Sequence, residues 1–243
     1  MDEQTPGNHP QKWQRLYQTA GYATIAMLGI IILQILVFIT SPMPTGIEDW
    51  FTLFRSNWFL GLVHLDALYL INNIIVAIMY LAFYVTLKPR HESQTTLAVM
   101  LGWLGIAAYL ASNRAFEMLR LSRLLESAGS DAEKAIMLAA GQAVLLEWQG
   151  TAFLSYYVLN GLALIILSFV MLKNPVFGKA TAVIGLIAGF LMVVPSTAGT
   201  IGLIFSLASL IPWYVFSIRV AKKFIQLGHQ RPGKEMQDDT KMA

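Results

Sequence analysis

Long apolar segments separated by shorter polar ones run through most of this sequence. Six of them are apolar enough to be membrane spans, near residues 20–40, 58–87, 95–113, 150–173, 177–194 and 199–219. A helix needs roughly 20 residues to cross the hydrocarbon core of a bilayer, and only the fifth segment is short. The pattern therefore predicts an all-α fold, a polytopic transmembrane helical bundle over residues 19–224. Polar tails are predicted at residues 1–18 and 225–243.

The composition agrees with a membrane protein. Of the 243 residues, 56% are hydrophobic and 13% are charged, whereas a soluble domain usually carries about 25% charged residues. The chain contains no cysteine. Disulfides, cysteine-ligated iron–sulfur clusters and thiolate catalysis are therefore excluded.

Basic residues gather on one side of the predicted bundle. Twelve of the 17 Lys and Arg residues lie there: Lys12, Arg15, Lys88, Arg90, Lys173, Lys179, Arg219, Lys222, Lys223, Arg231, Lys234 and Lys241. The other side holds Arg55, Arg114, Arg120, Arg123 and Lys134, mixed with acidic residues. Because cytoplasmic loops carry an excess of Lys and Arg, both termini are expected in the cytoplasm, which requires an even number of spans. Lys and Arg residues that lie beside apolar segments indicate membrane topology rather than a nucleic-acid-binding surface. Nucleic acid is therefore not an expected partner.

The segment 114–149, between spans three and four, is charged but has the composition of a helix. Arg114, Glu117 and Arg120 are spaced by threes, which allows i,i+3 ion pairs, and Ala128–Asp131 is typical of a turn. An extended charged helical hairpin is predicted. It either projects beyond the membrane or lies on the membrane surface.

The external loop at 41–57 carries several aromatic residues. Trp50, Phe51 and Phe54, followed by Trp58, predict an interfacial belt that anchors a short amphipathic segment. An aromatic cage around a ligand is the alternative.

Asp66 is the most informative residue, because it is a carboxylate inside the apolar run 58–87. A charge at that depth costs roughly 3 kcal/mol or more and normally faces a bundle interior, a partner or water. Helical spacing and the proposed topology bring charged and amide residues of spans two, three and four to the same outer layer. The candidate binding or ion-pair cluster consists of Asp66, Asn73, Asn113, Arg114, Glu117, Glu147 and Gln149.

This cluster allows three interpretations. The first is a structural ion pair of Asp66 with Arg114 or Arg120, and the second is a binding or proton-relay site. The third is a metal site from His64, Asp66, Glu117 and Glu147. His64 and Asp66 are two residues apart and point to nearly opposite sides of a helix, and no HExxH spacing is present. No metal, cofactor or catalytic residue is therefore predicted.

Several segments, Phe59–Val63, Tyr84–Pro89, Phe177–Ala182 and Pro195–Leu203 with Ile211–Trp213, resemble a bacterial integral membrane protein family known by a domain of unknown function, DUF4386. The resemblance covers spans two to six. It implies a polytopic helical protein in the bacterial plasma membrane. It brings no established activity and no catalytic residue.

The expected function is that of a non-enzymatic integral membrane protein, either structural or binding a lipid or a membrane or external protein partner. The alternative is a small-solute or proton-coupled transporter that uses an outer-leaflet polar cluster around Asp66. A membrane enzyme that uses the outer carboxylates is a third possibility.

Overall fold

A computed structural model describes residues 12–148, 150–194 and 199–230. Within these ranges the chain forms ten helices and no β-strand. In chain order they are α1 Gln14–Thr40, α2 Ile47–Ser56, α3 Trp58–His64, α4 Ala67–Leu87, α5 Glu92–Ser112, α6 Ala115–Ser127, α7 Asp131–Trp148, α8 Thr151–Leu172, α9 Lys179–Val193 and α10 Gly199–His229. The predicted all-α fold is confirmed.

Five stretches of helix among the described residues are long and apolar enough to cross a membrane. They are α1, α4, α5 with α6, α7 with α8, and α10. The remaining predicted span corresponds to α9, an apolar helix of only 15 residues. The chain thus has the helices of an integral membrane protein.

Six of the described helices form a closed ring in the order α1, α4, α5, α8, α9 and α10, with α10 returning to α1. Small residues allow the close crossings, as expected where the hydrophobic effect does not drive helix association. A Cβ atom on Gly189 of α9 would lie 3.0 Å from the carbonyl oxygen of Gly161 on α8. A Cβ on Gly21 of α1 would lie 2.6 Å from Ile225 of α10. These glycines therefore allow neighbouring helices of the ring to pack closely.

The helices α2, α3, α6 and α7 pack around a second apolar core, and we call this group the cap. The cap buries Trp50, Phe51 and Phe54. Gly141 of α7 allows the close approach, because a Cβ there would lie 2.6 Å from the Phe51 ring. This corrects the predicted interfacial belt: α6 and α7 cover the α2 aromatics, and Trp58 alone of the four remains exposed.

The predicted second span, 58–87, is interrupted in the structure. α3 ends at His64, α4 begins at Ala67, and Asp66 between them has a left-handed backbone with φ of 62°. Aspartate tolerates this conformation better than most residues. The break lacks the Gly or Pro that usually marks one, so the apolar pattern continues through it without a signal.

Side-chain amides from two other parts of the chain satisfy backbone carbonyls at this break. Gln34 Nε2 of α1 donates to the Val63 carbonyl at 2.8 Å. Asn113 Nδ2 donates to the Leu65 carbonyl at 2.9 Å. Together with the Asp66 N–H, which also donates to the Val63 carbonyl at 3.1 Å, these bonds satisfy backbone groups in an apolar environment and hold the interrupted backbone in place.

Candidate functional site

A cavity of about 390 Å³ lies inside the ring, at the end next to the cap. Polar side chains contribute to its wall from several helices: Gln34, Asp66, Asn72, Asn160, Ser206 and Ser209. Most of the wall is apolar or aromatic, and its aromatic residues are Phe38, Tyr69, Tyr80, Tyr109, Trp148, Phe153, Tyr156, Tyr157 and Trp213. Such a lining can hold an apolar molecule and orient it with a few polar contacts.

Asp66 is the acidic residue of this wall, and its side chain is almost fully buried, with 9% of the residue exposed. Trp148 Nε1 donates a hydrogen bond to Asp66 Oδ2 at 3.2 Å, and Tyr109 lines the same cavity. Across the ranges that the structure describes, no basic side chain forms an ion pair with Asp66. The carboxylate is held by a neutral donor, Trp148, at the edge of a cavity.

Arg114, one of the two basic residues expected to pair with Asp66, pairs elsewhere. Arg114 Nε lies 3.0 Å from Glu147 Oε2, and Arg114 Nη1 lies 3.4 Å from Glu117 Oε1. These three side chains are partly or largely exposed, and such surface ion pairs contribute about 0–1 kcal/mol each. The ion-pair hypothesis for Asp66 with Arg114 or Arg120 is thereby corrected: the expected single cluster is divided into a buried carboxylate and a surface triad.

The remaining predicted site residues are divided in the same way. Asn73 is buried and donates from Nδ2 to the Tyr69 carbonyl at 2.9 Å, while its neighbour Asn72 lines the cavity. Asn113 caps the helix break through Leu65. Gln149 lies outside the described residues.

His64 has surroundings of its own. Its Nε2 atom lies 3.1 Å from Ser41 Oγ, and its ring stacks on Phe38 with centroids 5.6 Å apart. Among the described residues, no group of three or more His, Asp and Glu side chains is arranged to hold a metal ion.

A buried hydrogen bond closes the cavity on the side away from the cap. The Tyr80 hydroxyl donates to Asn160 Oδ1 at 2.8 Å and joins α4 to α8. Gly102 and Gly105 of α5 make room for this pair, because a Cβ atom on Gly102 would overlap the Tyr80 ring and one on Gly105 would overlap the Asn160 amide. In the sequence, Tyr80 lies seven residues after Asn73 and Asn160 lies four residues after Tyr156. This helical spacing of polar residues is the sequence signal for this part of the wall.

Other lining residues gave no such signal. Trp148 is the last residue of α7, and Trp213 lies in the middle of α10. Aromatic residues at helical spacing are usually core residues, so their sequence positions do not distinguish them from ordinary packing. Only the tertiary fold brings them to the cavity wall.

Comparison with protein families gives one finding. The family model described as "Domain of unknown function (DUF4386)" matches residues 22–221, which confirms the resemblance drawn from the sequence. Comparison with curated proteins and with solved structures finds no match for the chain.

Proposed function

Because the chain belongs to the DUF4386 family, whose description assigns no activity, we propose a function from the geometry of the cavity. The protein is an integral membrane protein that binds a small molecule with an apolar body beside Asp66. The observation that carries this proposal is a buried carboxylate, unpaired with any basic side chain in the described part, on a cavity of about 390 Å³. Small-molecule sites usually have volumes of about 300–1,000 Å³ and mostly apolar walls.

The proposed topology has six spans, α1, α4, α5, α8, α9 and α10, with both termini in the cytoplasm of a bacterial cell. The basic residues near the ends of these helices support it through the positive-inside rule. With 15 residues, α9 is about 22 Å long, which a bilayer accommodates by local thinning. The cap then lies on the external side, where a membrane or external protein partner could also reach it.

Single-cysteine labelling tests this topology, because the chain has no cysteine of its own. Ser130→Cys lies in the exposed turn before α7, and Ser93→Cys lies on the exposed first turn of α5. A membrane-impermeant maleimide applied to intact cells is expected to label Ser130→Cys, and to label Ser93→Cys only after permeabilisation. Equal labelling of both in intact cells would contradict the proposed orientation.

Filling the cavity tests whether it is a binding site. Ser209 of α10 is buried and lines the cavity, so Ser209→Phe is expected to occupy the space that a ligand needs. Calorimetric titration of the detergent-solubilised protein with 2-phenylethanol, corrected for empty micelles, is expected to give saturable binding that this variant loses. Thr200→Phe, at an exposed position of the same helix, is the control and should bind as wild type does. Identical binding by both variants would place the ligand outside the cavity.

One observation favours carriage of the ligand as a second candidate function. The helix break between α3 and α4 lies at Asp66, beside the cavity, and interrupted helices form the substrate sites of many transporters. Uptake of a labelled ligand into vesicles that is lost in Asp66→Asn would support a carrier. Binding without any uptake would leave the protein a binding protein.

A further inference from the structure

We propose that the ligand of this cavity is a protonated organic amine, whose ammonium group pairs with Asp66 while its apolar body occupies the aromatic part of the cavity. The inference rests on the proposed binding function and names the chemical class of the ligand. It is carried by three features of the wall: the charge of Asp66, the orientation of its neighbouring polar atoms, and the position of the aromatic rings.

The charge of Asp66 has no countercharge among the described residues. A buried carboxylate needs a cation or several hydrogen-bond donors to offset the loss of hydration. Asp66 accepts from Trp148 at 3.2 Å, and Arg114, a basic residue of the same predicted layer, is engaged by Glu147 and Glu117. A cationic ligand would supply the countercharge that the described part of the protein does not.

The other polar atoms favour a ligand that donates hydrogen bonds. Gln34 is fully buried, and because its Nε2 atom donates to the Val63 carbonyl, its Oε1 atom is fixed as an acceptor. This Oε1 atom and Asn72 Oδ1 are buried and have no hydrogen-bond partner among the described residues. Both residues line the cavity together with Asp66. Within the described part of the chain, two side chains of the wall thus carry an acceptor without a donor, which matches an ammonium group with N–H bonds.

Aromatic rings surround the space beside the carboxylate. The ring centroids of Tyr109 and Tyr156 are 4.8 Å apart, those of Tyr156 and Tyr157 are 5.2 Å apart, and Tyr69 lies 6.5 Å from Tyr109. The faces of such rings attract cations, by about 0.5–2 kcal/mol for each contact. The same rings provide apolar surface for the rest of the ligand.

The wall between α1 and α10 indicates where the apolar body comes from. Ile35, Phe38 and Leu207 line the cavity and are 40%, 36% and 57% exposed. The wall there is one side chain thick, and in a membrane it faces lipid chains. An amine that partitions into the bilayer therefore fits this site, and it can be either a free amine or the ammonium of an ethanolamine lipid headgroup.

A matched pair of ligands tests the charge. Phenethylammonium and 2-phenylethanol have the same carbon skeleton and differ in charge at the terminal group. In calorimetric titrations of the wild-type protein in a non-ionic detergent, the ammonium is expected to bind at least about tenfold more tightly than the alcohol. Asp66→Asn is expected to remove that preference, because loss of one partner of a buried charge pair weakens binding by about tenfold or more. Equal affinities in the wild-type protein would overturn the inference without use of any variant.

A control variant and the pair of ligands together separate the possible failures. Asp131→Asn removes an exposed carboxylate of α7 that pairs with Lys134, and it should leave the preference for the ammonium unchanged. A loss equal to that of Asp66→Asn would attribute the preference to net charge and overturn the inference. Saturable binding of both ligands with equal affinity would keep the proposed binding function and reject the amine, whereas binding of neither would reject both.

Lipid nanodiscs distinguish the two sources of the ammonium. Discs of phosphatidylglycerol with phosphatidylethanolamine are compared with discs of phosphatidylglycerol with diacylglycerol, at equal phosphatidylglycerol content. Weaker phenethylammonium binding in the ethanolamine discs identifies a lipid headgroup as a competitor and supports the amine class. Equal binding in both discs assigns the site to a free amine.

Discussion

Replacement of Trp148 by alanine is expected to lower the free energy of unfolding by about 3–5 kcal/mol, the usual cost of removing a buried Trp side chain. The residue is 7% exposed and packs edge-on against Trp50 at 6.2 Å in the cap. It also donates to Asp66 at the cavity wall. It thus connects the cap to the ring of helices, and its loss weakens both. Unfolding in mild detergent, followed by circular dichroism, measures the effect.

Trp58 provides the matched control for this prediction. It belongs to the cap but is 53% exposed, so Trp58→Ala should change the free energy of unfolding by about 0.5 kcal/mol or less. Trp148→Phe keeps a ring and removes the N–H donor, and it should fall between the two. Similar losses for Trp148→Ala and Trp58→Ala would show that Trp148 does not connect the cap to the ring.

A leucine at Gly189 is expected to destabilise the protein by at least about 1–3 kcal/mol, the usual cost of overpacking. A Cβ atom there would lie 2.7 Å from Ile165 Cγ1 and 3.0 Å from the Gly161 carbonyl oxygen. The second contact is to backbone, so α8 and α9 must separate. The midpoint of thermal unfolding in detergent checks the result.

Gly29→Leu is the control for the glycine prediction. Gly29 is also a glycine in an apolar helix, but a Cβ atom there would have no neighbour within 4 Å. This variant should unfold near the wild-type midpoint. A comparable loss for Gly29→Leu would attribute the effect to the insertion of leucine into a helix rather than to the crossing of α8 and α9.

Most of the helical architecture could be predicted from the sequence. An apolar segment long enough to cross a bilayer must satisfy its backbone hydrogen bonds internally, and a helix does so. The break at Asp66 could not be predicted. Its left-handed backbone is held by hydrogen bonds from Gln34 of α1 and from Asn113 between α5 and α6. Both residues are distant in sequence, and no local residue marks the break. The buried aromatics of α2 were likewise assigned to a membrane interface, because their burial depends on α6 and α7.

The candidate site was predicted in part. Asp66 was identified as a buried charge with a cost. Tyr80, Tyr109 and Asn160 lie at helical spacing from other polar residues of spans two to four, and they mark part of the cavity wall. The expected pairing with Arg114 assumed that span three continues as one helix into the charged segment. The structure ends α5 at Ser112, and Asn113 is extended with ψ of 128°. This change of direction brings Arg114 to Glu147. The sequence could not show it, because common depth in a membrane does not determine which way a side chain points.

Under the proposed function, Asp66 serves ligand binding rather than folding. Thermal unfolding of the wild type, Asp66→Asn, Arg114→Gln and the double variant in mild detergent tests it most directly. Asparagine tolerates the left-handed backbone and can accept the Trp148 hydrogen bond, while removal of a buried charge relieves its desolvation cost. The expected result is that Asp66→Asn is at least as stable as the wild type, and that its effect adds to that of Arg114→Gln. Strong destabilisation by each single change, with a smaller combined loss than their sum, would instead establish a structural ion pair and contradict the account.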